Sequence, residues 1–532
     1  MMFNRRAFVK TSAAAIAAGA IPQPGFAQQT PRQGGTLVIN LEPEPTGFLL
    51  NANTAMILCG QVADGLIEYD ANFEPQPALA ERWEISPDRK TITFHLRRGV
   101  RWHDGKPFTS ADVQYTLLEV VKKLNPRAAT AFQKIEAVDA PDEHTAVLRF
   151  SEPASAIWAV LSSMEAPIIP KHLFEGSSPL TNPWNGKLIG TGAFVFKEWR
   201  KGEYILLERN PDYWRASKPY LNRIRVRIIN DPGARLAALE TGEVHFSAFS
   251  SVSPSDVPRL RTSANLRVET GGYGVFVPVL FMDFNMERPK FKDKRVRAAI
   301  AHAIDRQALV DRVWFGLGKP ATGPIPSAQR AFYTPDTTQY PFDPKKAEQL
   351  LDEAGLKRGT DGVRLSITHH TMPYGNTYTR AGEYIREALR QVGVDVQLVT
   401  LDVGQYIRQI FTERNFDTMT CAYTAGPDPQ FGILRRYYTK SFEKGVPWSN
   451  GSGYSNPVLD KVIEASFSET DPAKRKAQLV ELQKVAQHDL PSINLVEMQH
   501  FSVVSKRVQG LSTFPDGFSK SMHDVWLTGD NP

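Results

Sequence analysis

One adjacent pair in this 532-residue chain invites chemistry at once, His369-His370. Imidazole nitrogens are the commonest metal ligands. The pair follows Val363 to Thr368, which reads as a strand. Consecutive strand side chains point to opposite faces, so the two rings cannot ligate one ion without local distortion. A lone cleft or surface histidine is the better reading, and no metal is called for. The sequence carries no GxSxG, HExxH, CxxC, P-loop or Rossmann glycine fingerprint, so no motif supplies a nucleophile, a metal set or a phosphate cradle. Spacing alone does not single out a carboxylate pair among the 57 acidic residues, which keeps a secreted hydrolase as a rival reading. Cys59 and Cys421 are the only cysteines and lie far apart, so two buried free thiols are expected and a pairing cannot be deduced.

The elements that would position any site follow from patterning. At 42% apolar and 23% charged, and too long for one hydrophobic core, the chain reads as two or three globular domains. Its net charge of +6 is modest and spread out, which argues against a nucleic-acid partner. At the N-terminus, Arg5-Arg6, the small apolar run Ala13 to Ala20 and Gly25-Phe26-Ala27 follow the order of a twin-arginine leader, expected to occupy 1–29. No cysteine stands directly at its end, so export without a lipid anchor is expected. The apolar run is too short to span a bilayer.

From Pro77 to Leu117 the residues PALAERWEISPDRKTITFHLRRGVRWHDGKPFTSADVQYTL combine strand, turn and helix signals. Thr91, Thr93 and His95 alternate with Ile92, Phe94 and Leu96, and Asp104-Gly105 turns the chain. Thr109 with Asp112 three residues later starts a helix. From Gly190 to Trp214 a hairpin is expected around Lys201-Gly202, ending in Asn-Pro-Asp-Tyr-Trp. In DPGARLAALETGEVHF, Asp231 caps a helix with Pro232 at its first position, and Gly242 ends it. Apolar spacing from Phe291 to Phe315 predicts a buried amphipathic helix. Beyond Asp343, helices and strands alternate as βαβ units do.

These four blocks, the last being RVRAAIAHAIDRQALV, occur in the order in which they mark extracytoplasmic solute-binding proteins of family 5, the peptide, opine and nickel binders of ABC importers. The chain resembles that family over nearly its whole length. The resemblance implies an α/β fold of the type II periplasmic binding protein kind, with two lobes joined by hinge strands and an extra subdomain in the first. The first lobe would hold 31–279 plus 496–532, with the subdomain at about 62–181, and the second 280–495. A monomer in the periplasm, without cofactor or catalysis, would close on a peptide or peptide-like solute and deliver it to a permease of the inner membrane. A non-peptide ligand (opine, oligosaccharide, organic acid or metal chelate) is the alternative, and a chaperone that holds unfolded chains is a third.

By correspondence with the family, ligand contacts would come from Glu42, Pro43 and Glu44, from Gly272, Tyr273 and Gly274 near the hinge, and from His369, His370, Tyr374, Tyr423, Thr424 and Trp448 in the second lobe. Asp428 could serve a cation or be a turn residue beside Pro429. Tyr423 and Trp448 read equally as core or rim aromatics, and Glu42 and Glu44 as a solvated turn. Arg435 and Arg436 could favour an anion or form a solvated helix face. The resemblance is to proteins that place an arginine ahead of the Pro-Tyr step and an aspartate before the Asp-Pro step for a dipeptide's termini. Here Thr371, Met372 and Ala425 stand there. An unpaired buried terminus costs several kcal/mol, which disfavours a zwitterionic dipeptide in that pose.

Overall fold

Alternation in the first block folds as its residues dictate: Thr91–Leu96 is a strand with Ile92, Phe94 and Leu96 buried and the intervening side chains half-buried. The computed structural model describes residues 30–45, 47–49, 52–125 and 129–529, and the leader expected at 1–29 lies outside them. That strand sits in a four-stranded antiparallel sheet ordered Ala80–Ile85, Thr91–Leu96, Thr145–Phe150, Ile135–Asp142. The sheet and the helix Ser110–Tyr115 cover one cluster of buried residues running from Leu66 to Ile168. Asp112 locks this unit, accepting the Thr109 and Lys171 amide hydrogens at 2.9 Å each.

Two larger sheets carry the rest. The seven-stranded one runs Leu266–Glu269, Ser502–Ser505, Phe246–Ser247, Thr36–Leu41, Arg223–Ile228, Tyr204–Arg209, Phe194–Arg200. Thr36–Leu41 pairs in parallel with Arg223–Ile228, and the last two strands are the expected hairpin, turning at Gly202 with a φ of +75°. The six-stranded sheet runs Gly318–Pro320, Ser492–Met498, Pro278–Phe284, Thr418–Thr424, Leu365–His370, Val394–Val399. Its strand Pro278–Phe284 is buried at every position, as a strand covered on both faces must be.

The chain passes between these sheets twice, at 270–277 and at 499–501. Asp231 caps Pro232–Glu240 through Ala234 N–H at 2.7 Å, as its sequence predicts. The apolar run from Phe291 to Phe315, read as one helix, is instead two, Lys294–Ala303 and Arg306–Val313. Asp305 makes the break: Ile304 is extended, and the Asp305 carboxylate accepts Ala308 N–H at 3.0 Å and so caps a second helix. Cys59 and Cys421 are both free and buried.

Candidate functional site

A cleft of about 1020 Å³ opens where the subdomain, the first crossing segment and the six-stranded half meet. Its subdomain wall is aromatic. The Asp70 carboxylate accepts Asn72 and Glu74 amide hydrogens, which turns the chain so that Phe73 stacks on Tyr69 at 3.9 Å. Trp83, on Ala80–Ile85, meets Trp158 at 5.5 Å, and the Tyr69 hydroxyl donates to the Trp158 carbonyl at 2.6 Å. Gly274, Val275 and Pro515 form the floor. A Cβ on Gly274 would come within 2.9 Å of Pro515, so this close approach requires glycine.

The facing wall comes from Gln329, Arg330 and Phe332 and from Asp428 and Arg475. Asp428 and Arg475 form a bidentate pair at 2.5 and 2.9 Å, both buried. Gln329 donates to the Gly426 carbonyl at 2.6 Å while its side-chain oxygen is buried without a partner, which leaves an acceptor for an incoming N–H or O–H. The walls also touch directly. Ser155 Oγ donates to the Phe467 carbonyl at 3.1 Å and Arg89 to the Thr470 carbonyl at 2.9 Å. Phe431 packs into the subdomain's own core.

Of the residues expected to contact ligand, Gly274 and Asp428 line this cleft, Asp428 with its charge already met by Arg475 and its carboxylate capping the turn Pro429–Phe431 through Gln430 N–H. Tyr374 and Trp448 lie together, ring centroids 5.9 Å apart. Tyr423 is buried, its hydroxyl donating to the Ser449 carbonyl at 3.1 Å and its ring edge-on to Phe281. Thr424 pairs with Pro278 at the strand ends. Tyr273 is buried in the first crossing segment, 5.6 Å from the ring of His500. Glu42 is exposed, with Arg235 at 3.7 Å, and Glu44 accepts from the Trp199 indole at 2.8 Å and the Gly202 amide at 3.1 Å, which pins the hairpin.

His369 and His370 diverge as strand geometry requires. Their rings meet Thr418 Oγ1 at 3.0 Å and Gln409 Oε1 at 2.9 Å respectively. Burial holds the His369 pKa at about 3, so its ring is neutral. Among the described residues no group of three or more His, Cys, Asp or Glu is placed to hold a metal ion. Arg436 is neither a ligand-facing nor a solvated residue: it is buried against Asp283 at 3.4 Å and Ser492 at 3.0 Å.

Sequence reasoning missed Tyr69, Phe73, Trp83, Trp158 and Phe332. Trp83 alone carried a signal, a large aromatic among Glu81, Arg82 and Glu84 on a strand whose other residues there are exposed. Phe73 and Phe332 sit on turns and loops, and Tyr69 and Trp158 on elements of three and six residues, Ile67–Tyr69 and Ser155–Val160, too short for a period to mark a face.

Residues 74–445 match the model of the bacterial extracellular solute-binding proteins, family 5, middle region. A Brucella ovis protein whose name is that of an ABC transporter peptide-binding protein is 30% identical over 525 residues, 95% of each chain. The dipeptide-binding protein of Escherichia coli is 27% identical over 519 residues, 91% of this chain and 93% of its own. The structure of NikZ from Campylobacter jejuni in complex with Ni(L-His) superposes with a TM-score of 0.79 at 23% identity, over 92% of this chain and 99% of that one. A match over so much of the chain, on a fold of sheets joined by two crossings and opening into a cleft, shows that the chain belongs to family 5 of the bacterial extracellular solute-binding proteins.

Proposed function

We propose that the protein captures a peptide or peptide-like small solute in the cleft between its halves and hands it to the permease of an ABC importer. The observation that carries this is the cleft itself: its walls come from both sides of the two crossings, so a ligand touching both stabilises the closed arrangement over the open one. Its volume and its aromatic lining, set with polar side chains such as Gln329, Arg330 and Glu74, suit a small-molecule site. In this reading 1–29 is a twin-arginine leader, the mature chain is a periplasmic monomer without a lipid anchor, and it performs no reaction. The first lobe is 31–279 with 496–532, carrying the subdomain at about 62–181, and the second is 280–495. The second-lobe aromatics Tyr374 and Trp448, with Thr424, extend the ligand surface beyond the cleft.

A non-peptide ligand is the second reading, favoured by one observation. Thr371, Met372 and Ala425 are all buried and none is charged, so no group there can pair with a peptide's ammonium or carboxylate. The Campylobacter jejuni protein of the same fold is itself described with Ni(L-His). Native mass spectrometry of protein purified gently from the periplasm, followed by denaturing release, tests the proposal. A ladder of masses spaced by amino-acid residues supports a peptide carrier. One discrete non-peptide mass selects the second reading, and turnover of the released compound by the protein would overturn both.

A further inference from the structure

A second cavity, of about 380 Å³, is lined by residues from 60–68, 162–164, Arg215 and the C-terminal segment 510–524. Unlike the cleft it is strongly polar, and several of its polar atoms are stranded. Asp516 Oδ1, His523 Nδ1, Ser162 Oγ, Ser521 Oγ and Arg215 Nε all line it and have no hydrogen-bond partner while buried. Asp516, Ser162 and His523 are each more than nine-tenths buried. Stranded buried polar groups cost about 1–3 kcal/mol each, so five at one cavity mark a place built to be filled.

The charges say with what. Asp64 and Asp516 both line the cavity, and among the described residues neither has an ion-pair partner. Asp64 accepts from neutral donors, Thr191 Oγ1 and the Trp214 indole at 2.9 Å each and the Tyr213 hydroxyl at 3.5 Å. The cations nearby are committed elsewhere: Arg215 to Glu68, Lys218 to Asp524, and Lys520 to the Tyr69 carbonyl at 2.5 Å. The volume equals about a dozen waters' share of liquid, enough for a small solute and too little for a folded peptide. No cluster of side chains of metal-ligand type is present among the described residues, which turns the cation from a metal toward an organic one.

We propose that this cavity is a second binding site, distinct from the cleft, for a small hydroxylated primary-ammonium compound whose ammonium pairs with Asp516 and whose hydroxyl meets Ser521 and His523. Because the segment 510–524 also supplies Pro515 to the cleft floor and Phe518 to the ring stack on Tyr273, occupation of this site would brace the first crossing segment from behind.

Calorimetric titration of the ligand-freed mature protein with ethanolamine, with putrescine, and with glycerol as the uncharged control, tests it. The expected result is saturable binding of ethanolamine, weaker binding of putrescine and none of glycerol, with affinity for ethanolamine falling at least tenfold in Asp516→Asn and a fewfold in Ser521→Ala. Asp516→Asn should keep its affinity for whatever the cleft carries, so a failed cleft assignment and a failed second site are told apart. Absence of saturation with either amine, equal affinity for glycerol, or unchanged ethanolamine binding in both variants would overturn the proposal and leave the cavity a place for ordered water.

Discussion

The Tyr273 hydroxyl and the Ser502 hydroxyl are 2.6 Å apart, and that contact joins the first segment along which the chain passes between its sheets to the strand that follows the second. Tyr273 lies in the first crossing, and Ser502 opens the strand after the second. The same Tyr273 oxygen accepts Phe249 N–H at 2.9 Å, and its ring stacks on Phe518 nearly parallel. Tyr273→Phe keeps the stack and removes the oxygen, so the buried Ser502 hydroxyl and the partly buried Phe249 N–H both lose this partner. We expect a stability loss of about 1–3 kcal/mol, with a change in ligand affinity because the first crossing is no longer tied to the strand after the second. Urea unfolding and ligand titration on the same variant check this; unchanged values for both would show the contact to be incidental.

Asp428 and Arg475 present the opposite situation, a charge pair at the cleft wall already complete without ligand. Arg475→Ala would leave a buried carboxylate unpaired, at a cost on the order of 3–5 kcal/mol. Adding Asp428→Asn to that variant should recover part of the loss. A double-mutant cycle by denaturant unfolding reads the coupling, and additive effects would mean that water already screens the pair.

Trp83 and Tyr423 should respond in contrasting ways to alanine. Trp83 is half-buried with its ring on the cleft, so Trp83→Ala is expected to weaken ligand binding tenfold or more with a modest drop in melting temperature. Tyr423 is 4% exposed and holds Phe281 and the Ser449 carbonyl. Tyr423→Ala is therefore expected to cost about 3–5 kcal/mol of stability, and the indifference of melting temperature expected of a pure ligand contact applies to Trp448 better than to Tyr423. Paired melting and titration curves decide it.

The difference between those residues explains how far sequence could reach. Thr91–Leu96 and Pro232–Glu240 were legible because alternation, an Asp cap and a Pro at the first helical turn are local signals. The split at Asp305 was nearly so, since an Asp there can cap a new helix as easily as continue one. The cleft was not legible. Trp83, Trp158, Phe332 and Arg475 come from four distant segments, and only tertiary packing brings their faces together. Charge partners were hidden for the same reason: nothing near Asp428 in sequence announces Arg475, and nothing near Arg436 announces Asp283.

Acid stability gives a final test, because two kinds of buried group pull in opposite directions. Burial holds the histidines His103 and His500 at about 4 and His369 at about 3, below their usual range. Each contributes stability that is complete above about pH 6.5 and is lost as pH falls toward those values, since the unfolded chain takes up the proton first. Asp516 does the reverse. Burial raises its carboxyl to about 7, so its contribution is greatest below pH 4 and is lost as pH rises through 7. At about 1.4 kcal/mol per pH unit, this one group offsets on the order of 4 kcal/mol of the histidines' loss at most. Wild-type protein should therefore lose melting temperature gradually between pH 7 and 5. Asp516→Asn, neutral throughout, should be more stable at pH 8 and lose stability more steeply on acidification. Melting curves from pH 4.5 to 8 check both slopes, and parallel curves for the two proteins would mean that Asp516 is solvated and carries no such shift.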